Sequence, residues 1–280
     1  MNNIREQRKI IAQETLKIQQ QGFYVAPNGK RIDISELQKR SVDKSYVLTP
    51  KQGEELVKEL ISTDNVVNTT YKVVNQSTVQ AIIEAAATGK KVASLNFASA
   101  KNPGGGFLSG AVAQEEALAI SSGLYNTLIR HDDTFYKTNR EFRSMMYTDY
   151  AIYSPDVVFF RAPDFRLLDR SVNSSVLTSP AVNMKQVREK GEDVGQAKAV
   201  MKNRMRLCLA ILAKEKNDVV ILGAYGCGVF GNDSVEVARW WRELLIEEKH
   251  EVHFTAVVFA VLDKPNGEAI SAFEREFKGM

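Results

Sequence analysis

Cysteine is scarce in this chain: Cys208 and Cys227 are the 2 in 280 residues. That excludes a disulfide-stapled scaffold and fits a reducing compartment. The 3 histidines, His131, His250 and His253, and the two distant cysteines offer no metal-ligand spacing. No apolar run approaches the roughly 20 residues that a membrane-spanning helix needs. The opening residues, MNNIREQRKI, hold no uninterrupted apolar stretch behind their charges, so a secretory leader is not expected. A basic block or stripe of the kind nucleic-acid binders carry is also missing. Net charge is +3, and the excess lies entirely in residues 1–60, with 11 basic and 8 acidic side chains against 26 of each sign thereafter. Internal repeats and low-complexity segments are absent as well. What is present, 44% hydrophobic and 25% charged residues, is ordinary for a globular protein with ample core. The expectation is a cytoplasmic monomer with neither membrane attachment nor direct nucleic-acid binding.

Residues 1–70 read as a helical extension and 71–280 as an α/β domain. A helix is expected over 3–20, where Ile4, Ile11 and Ile18 recur and Ile10 fills the same face, with Gly22 as its stop. A short hairpin should follow, turning at Asn28-Gly29 between Tyr24-Val25 and Ile32–Ile34. Thr49-Pro50 marks the next helix start, leading through Glu54 to Ile61. From residue 70 strands and helices alternate. Strands are expected at 70–74, 92–97, 151–161, around Val176, and at 219–225 and 252–262. Helices are expected at 77–89, 117–128, 194–215, 234–249 and 267–277, the 234 helix opening with Asp233 and Glu236 in capping-box spacing. Such alternation implies an α/β sandwich around a mixed or parallel sheet.

In these folds ligands bind at the carboxyl ends of strands, in the loops before helices. Two glycine loops stand there. The first is Asn102-Pro103-Gly104-Gly105-Gly106, after the strand ending near Phe97. The second runs from Gly223 to Gly231 and carries Gly226, Cys227, Gly228, Val229 and Phe230. Glycines let a backbone approach a ligand and aim successive N–H groups at it. Each loop alone also reads as a tight turn, but two at one sheet edge suit a pyrophosphate. Residues 226–231 match GxGxxG too, with Glu251 or Asp263 as the acid for a ribose. That fingerprint normally opens a βαβ unit, and a dinucleotide oxidoreductase leaves the first loop unexplained.

Beyond Gly106, after an interval of seven residues, stand Gln114-Glu115-Glu116, at the mouth of a helix. Acids in a first turn complement the helix dipole, which is the plain reading. The glycine loop upstream and the apolar or small segment Phe107–Ala113 favour another. Neighbouring carboxylates in a partly buried site do not both ionise freely. A carboxyl that keeps its proton is what glycoside cleavage needs, to protonate the leaving oxygen as an oxocarbenium ion develops.

This arrangement, GGG, seven residues, then QEE, resembles the signature of the poly(ADP-ribose) glycohydrolases. The run LNFASAKNPGGG over residues 95–106 is similar to the compact microbial type of that family. Gly226 to Gly231 resembles the family's second, diphosphate-gripping loop, and the run Ser179-Pro180-Ala181-Val182-Asn183 is similar as well. The resemblance covers residues 90–280; residues 1–60 resemble the family's N-terminal helical extension more weakly. It implies a macrodomain-like three-layer α/β/α sandwich around a mixed sheet, with an N-terminal helical extension. It implies hydrolysis of the ribose–ribose O-glycosidic bond of poly(ADP-ribose), releasing ADP-ribose without metal or cofactor. Glu116 would be the general acid and then the base for water, Glu115 would position the ribose hydroxyls, and Gln114 would support the acid loop. Asn102 and Gly104, Gly105 and Gly106 would meet the diphosphate and adjoining ribose. Gly226, Gly228 and Val229 would wrap the diphosphate, and Phe230 would orient the scissile ribose. Ala224-Tyr225 stands where the larger animal-type enzymes carry Asn-Trp, which favours the compact type and removal of units from the polymer end.

Two alternatives share the pocket. A macrodomain that binds ADP-ribose without turnover needs the loops but no paired acids, so Gln114-Glu115-Glu116 argues for the enzyme. A hydrolase of ADP-ribose on protein or nucleic acid differs only in its leaving group. Phe273 and Phe277 are candidates for stacking on adenine, although a spacing of four on one helix face more often marks core. Cys208 is expected in the core, Cys227 as a close-packed residue of its loop, and the segment Arg130–Arg143 on the surface.

Overall fold

The computed structural model describes residues 2–60 and 68–280. Helix α1 (Asn2–Gln21) buries Ala12, Thr15, Ile18 and Gln19, which recur at three- and four-residue spacing on one face. Strands β1 (Phe23–Val25) and β2 (Arg31–Asp33) form the expected antiparallel hairpin, and Asn28 Oδ1 accepts from the Lys30 amide to close the turn. Helix α2 (Ser35–Lys44) and strand β3 (Tyr46–Leu48) follow, then α3 (Pro50–Leu60). Gln52 Oε1 accepts the Thr49 amide at 2.9 Å while Thr49 Oγ1 accepts the Gln52 amide at 3.4 Å, a reciprocal cap at the helix start. Ile61, the expected end of this helix, lies outside the described residues.

The larger part begins with β4 (Thr70–Val74) and α4 (Thr78–Ala86), capped by Ser77. After β5 (Val92–Phe97) come α5 (Gln114–Ser121), α6 (Leu124–Ile129) and α7 (Lys137–Glu141), then the long antiparallel pair β6 (Ala151–Arg161) and β7 (Leu167–Ser179). The chain closes through α8 (Met184–Glu189), α9 (Val194–Lys214), β8 (Val219–Leu222), α10 (Ser234–Arg242), β9 (Ala256–Ala260) and α11 (Glu268–Phe277). A seven-stranded sheet runs in the order β3-β6-β7-β5-β8-β9-β4. β3, β6 and β7 pair antiparallel, and every neighbour from β7 to β4 pairs parallel. Side chains alternate between two cores, as the period of a strand requires. Ala93, Leu95, Leu177, Val220, Leu222, Val257 and Phe259 face α3, α9, α10 and α11. Val92, Val176, Ile152, Val219 and Ile221 face α4, α6 and Leu118 of α5. Helices therefore cover both faces, giving the three-layer α/β/α sandwich, and the carboxyl ends of β7, β5, β8 and β9 lie side by side. Among the described residues no helix is long and apolar enough to cross a membrane.

Several local features depart from the sequence pattern. The helix expected over 117–128 is broken into α5 and α6, because β6 captures the intervening backbone. Ser122 is extended and bridges Phe159, and the Gly123 amide donates to the Val158 carbonyl at 2.9 Å. The strand expected from 252 starts at Ala256, since residues 250–253 form a short 3-10 turn. Asp233 caps α10, but Glu236 turns away to Lys198 Nζ at 2.7 Å, so only half of the capping box forms. Phe273 and Phe277 pack on Phe259 with ring centroids 5.2 Å and 4.3 Å away; both are core, not adenine platforms. Cys208 is core as well.

Candidate active site

Gln114 fixes the acid helix to the sheet. Its Oε1 accepts the Phe97 amide at 2.9 Å, and its Nε2 donates to the Leu95 carbonyl at 2.8 Å and to Thr78 Oγ1 at 3.2 Å. The amide is spent on the end of β5 and the start of α4, so Gln114 sets where Glu115 and Glu116 begin. The glycine loop folds back over them. Gly105 has φ +60°, a left-handed conformation, and a Cβ there would lie 2.3 Å from Glu116 Oε1 and 3.1 Å from Glu115 Oε2. Only glycine lets this backbone rest against both carboxyl groups. The Gly106 amide donates to Glu116 Oε1 at 2.9 Å, which ties loop to acid. Gly104 is buried, and Asn102 is exposed at the loop's outer edge, its carbonyl accepting from the Gly105 amide.

The two acids have different surroundings. Glu115 is only 4% exposed, and burial pushes its carboxyl up to about 8. N–H groups of Ser99, Asn96 and Gly104 oppose that shift, and the neighbouring Glu116 adds to it. Removal of a carboxylate from water outweighs those hydrogen bonds, so Glu115 keeps a proton at neutral pH. Ser99 donates to its Oε2 at 2.7 Å and Asn96 to its Oε1 at 3.2 Å. Asn96 also donates to Thr178 Oγ1 at 3.2 Å, so the end of β7 takes part. Glu116 is half-buried and lies on the open side of the pair.

The second loop leaves β8, the parallel neighbour of β5, at the same sheet edge. Gly226 has φ +74°, and a Cβ there would meet Ala181 Cβ and Asn232 Nδ2, both at 2.6 Å. Asn232 Nδ2 holds the loop closed through the Val182 and Gly226 carbonyls at 2.8 and 3.0 Å. Gly228 has open space where a Cβ would be, and Val229 is 82% exposed. Phe230 is half-buried and packs on Tyr147 with centroids 6.0 Å apart. Tyr225 is buried, donating to the Ser179 carbonyl at 3.0 Å and packing on Phe97. Burial pushes the Cys227 thiol up to about 12, which fits a packing residue and not a nucleophile. The two loops and the run 179–183 thus lie side by side at one edge of the sheet. Among the described residues no group of three or more His, Cys, Asp or Glu could hold a metal ion.

Residues 12–162 match the family described as microbial-type PARG, catalytic domain. The structure is similar to that of poly(ADP-ribose) glycohydrolase from Thermomonospora curvata, with a TM-score of 0.92 and 37% identity over 97% of this chain and 100% of that one. The chain belongs to this family. The same Thermomonospora curvata protein bound to the inhibitor ADP-HPD superposes with a TM-score of 0.89 at 37% identity, again over 97% of this chain and 100% of that one. The poly(ADP-ribose) glycohydrolase of Deinococcus radiodurans in complex with ADP-ribose gives a TM-score of 0.83 at 38% identity, over 89% of this chain and 100% of that one. No curated protein matches the chain.

Sequence reasoning about this family member missed three supports of the groove. Asn96 and Thr178 hold Glu115, and the only signal for them is a polar residue near the end of each apolar strand. The third is Arg204, wholly buried on α9, a helix whose spacing reads as plain core. Its guanidinium donates to Asp149 Oδ1 at 2.8 Å and to the carbonyls of Met146, Pro180 and Tyr147 at 2.8, 3.0 and 3.3 Å. It joins the run beneath Gly226 to the segment that carries Tyr147.

Proposed function

We propose that this chain is a poly(ADP-ribose) glycohydrolase that hydrolyses ribose–ribose O-glycosidic bonds from the polymer end and releases ADP-ribose. The observation that carries the reading is the pair Glu115 and Glu116 under Gly105, facing a second glycine loop that leaves the adjacent parallel strand. A protein that only reads ADP-ribose needs the loops and has no use for a buried neutral carboxyl beside an open one. The diphosphate rests on the backbone of Gly226, Gly228 and Val229, with Gly104, Gly105 and Gly106 on its other side. Phe230 packs against the terminal ribose, and Glu115 hydrogen-bonds its hydroxyls from below. Glu116 in its protonated form donates to the departing ribose oxygen as the anomeric C–O bond breaks with oxocarbenium character. The resulting carboxylate takes a proton from the attacking water, whose oxygen bonds to the anomeric carbon, and Glu116 regains its starting form. The Gly106 amide holds Glu116 in place throughout. Two free thiols fit a cytoplasmic setting.

The test is labelled poly(ADP-ribose) treated with the protein and with Glu116→Gln, products being separated by chromatography. Free ADP-ribose from the wild type is expected, with the variant slower by about two to four orders of magnitude. ADP-ribose binding by calorimetry should persist in the variant. Turnover by Glu116→Gln at the wild-type rate removes Glu116 from the chemistry. Tight ADP-ribose binding by a wild type that leaves the polymer uncut moves the protein to the reader class.

A further inference from the structure

We infer that α1 is a splint for the acid-bearing segment, with Thr15 and Gln19 as positioning residues that hold Glu116 at its working distance from the glycine loop. The inference rests on the glycohydrolase reading above. α5 has eight residues, too few to hold its own shape. The last carbonyls of a helix have no partner within it. Here Thr15 Oγ1 donates to the Ile120 carbonyl at 2.7 Å and Gln19 Nε2 to the Ser122 carbonyl at 2.9 Å. Gln38 of α2 donates to the Gly123 carbonyl at 3.0 Å. The far end of the acid helix is therefore closed by side chains from the first forty residues.

The near end is held by the same helix. Arg5 Nε donates to the Ser109 carbonyl at 2.9 Å, and the Gly110 backbone sits so close that a Cβ would lie 2.5 Å from the Arg5 carbonyl oxygen. Between these points Ala12 packs with Phe107, Ala119 and Ile120 in one buried cluster. Arg5, Ala12, Thr15 and Gln19 share one face of α1, which runs from the loop between the GGG and QEE motifs to the end of α5. Thr15 is reinforced from behind. Its hydroxyl accepts from Arg161 Nε at 3.0 Å while donating to Ile120, so a buried guanidinium polarises the bond at the carbonyl end of α5. Among the described residues no hydrogen bond of α1 reaches Glu115, Glu116 or the second loop. The helix acts only through the spacing between Gly106 and Glu116, and displacement of a reacting group by about 1 Å costs on the order of a hundredfold in rate.

The experiment compares Thr15→Val, Gln19→Leu and the double variant with wild type, reading kcat and KM on poly(ADP-ribose), ADP-ribose affinity by calorimetry, and thermal midpoint. Among the described residues Gln19 Oε1 has no partner, so Gln19→Leu removes an unsatisfied buried atom, which offsets part of the cost of leaving the Ser122 carbonyl unpaired. The double variant should lose about tenfold or more in kcat, with ADP-ribose affinity held within about twofold. Thr15→Ser should restore the rate in the single-site background. An unchanged kcat overturns the inference, and so does a loss of rate matched by an equal loss of ADP-ribose affinity. Should the double variant fail to fold, Gln19→Leu alone gives the same kcat-against-affinity readout. Polymer left uncut by wild type would refute the glycohydrolase reading; wild-type cleavage with an unaltered variant would refute the splint alone.

Discussion

The proton on Glu115 gives the protein a dependence on pH that a single substitution should remove. Burial raises this carboxyl from 4.5 to about 8, so between those values the native state binds one proton more than the unfolded chain. Stability therefore falls as pH rises through the window, at about 1.4 kcal/mol per pH unit while the difference is complete. From pH 6 to pH 8 the loss from this group amounts to about 2 kcal/mol. Below the unfolded value the penalty is absent, and above the folded value it stops growing. Glu115→Gln keeps the shape and the neutrality of the protonated acid and cannot titrate. Its amide oxygen can accept from Ser99, and its amide nitrogen can donate to Asn96 Oδ1, which has no partner among the described residues, once the Asn96 amide turns end for end. Urea denaturation of both proteins at pH 6, 7 and 8 reads the effect. The stability of Glu115→Gln relative to wild type should rise by about 2 kcal/mol across that range, and the difference cancels every other titrating group. Parallel curves would show that Glu115 is ionised in the native state and would refute its neutral form.

Two further substitutions test the groove. Gly226→Ala forces a Cβ within 2.6 Å of Ala181 and Asn232 in a left-handed conformation, so ADP-ribose affinity by calorimetry should drop by at least about tenfold. Unchanged affinity would remove the second loop from the site. Arg204→Met leaves the carbonyls of the buried residues Met146, Tyr147 and Pro180 without their donor and should cost about 3 kcal/mol or more by chemical denaturation. A neutral result would mean that water replaces the guanidinium there.

Much of the groove was legible in one dimension because its chemistry depends on local spacing. Gly104 to Gly106 and Gln114 to Glu116 lie within thirteen consecutive residues, and the turn and helix start that join them are short-range features. The alternation of strands and helices fixed the sandwich, since a strand buried on both faces and a helix of ten or more residues leave distinct apolar patterns. The two-residue break at Ser122-Gly123 left no such pattern, because it exists only where β6 offers Phe159 and Val158 as backbone partners. Strand β3 is three residues long and acquires its identity from β6 as well.

That burial holds a proton on Glu115 was likewise beyond the sequence. Glu115 and Glu116 are adjacent and chemically identical, and only the folded chain sets one beneath Ser99 and Asn96 and leaves the other open. Arg204 and Thr15 read as ordinary helix positions until Met146, Tyr147, Pro180 and α5 supply the carbonyls they serve. The sequence by itself marked the two glycine loops and the paired acids, because these lie at short, fixed spacing along the backbone. The tertiary structure decided what supports them and that Glu115 holds its proton, since burial and long-range hydrogen bonds are properties of the assembled layers.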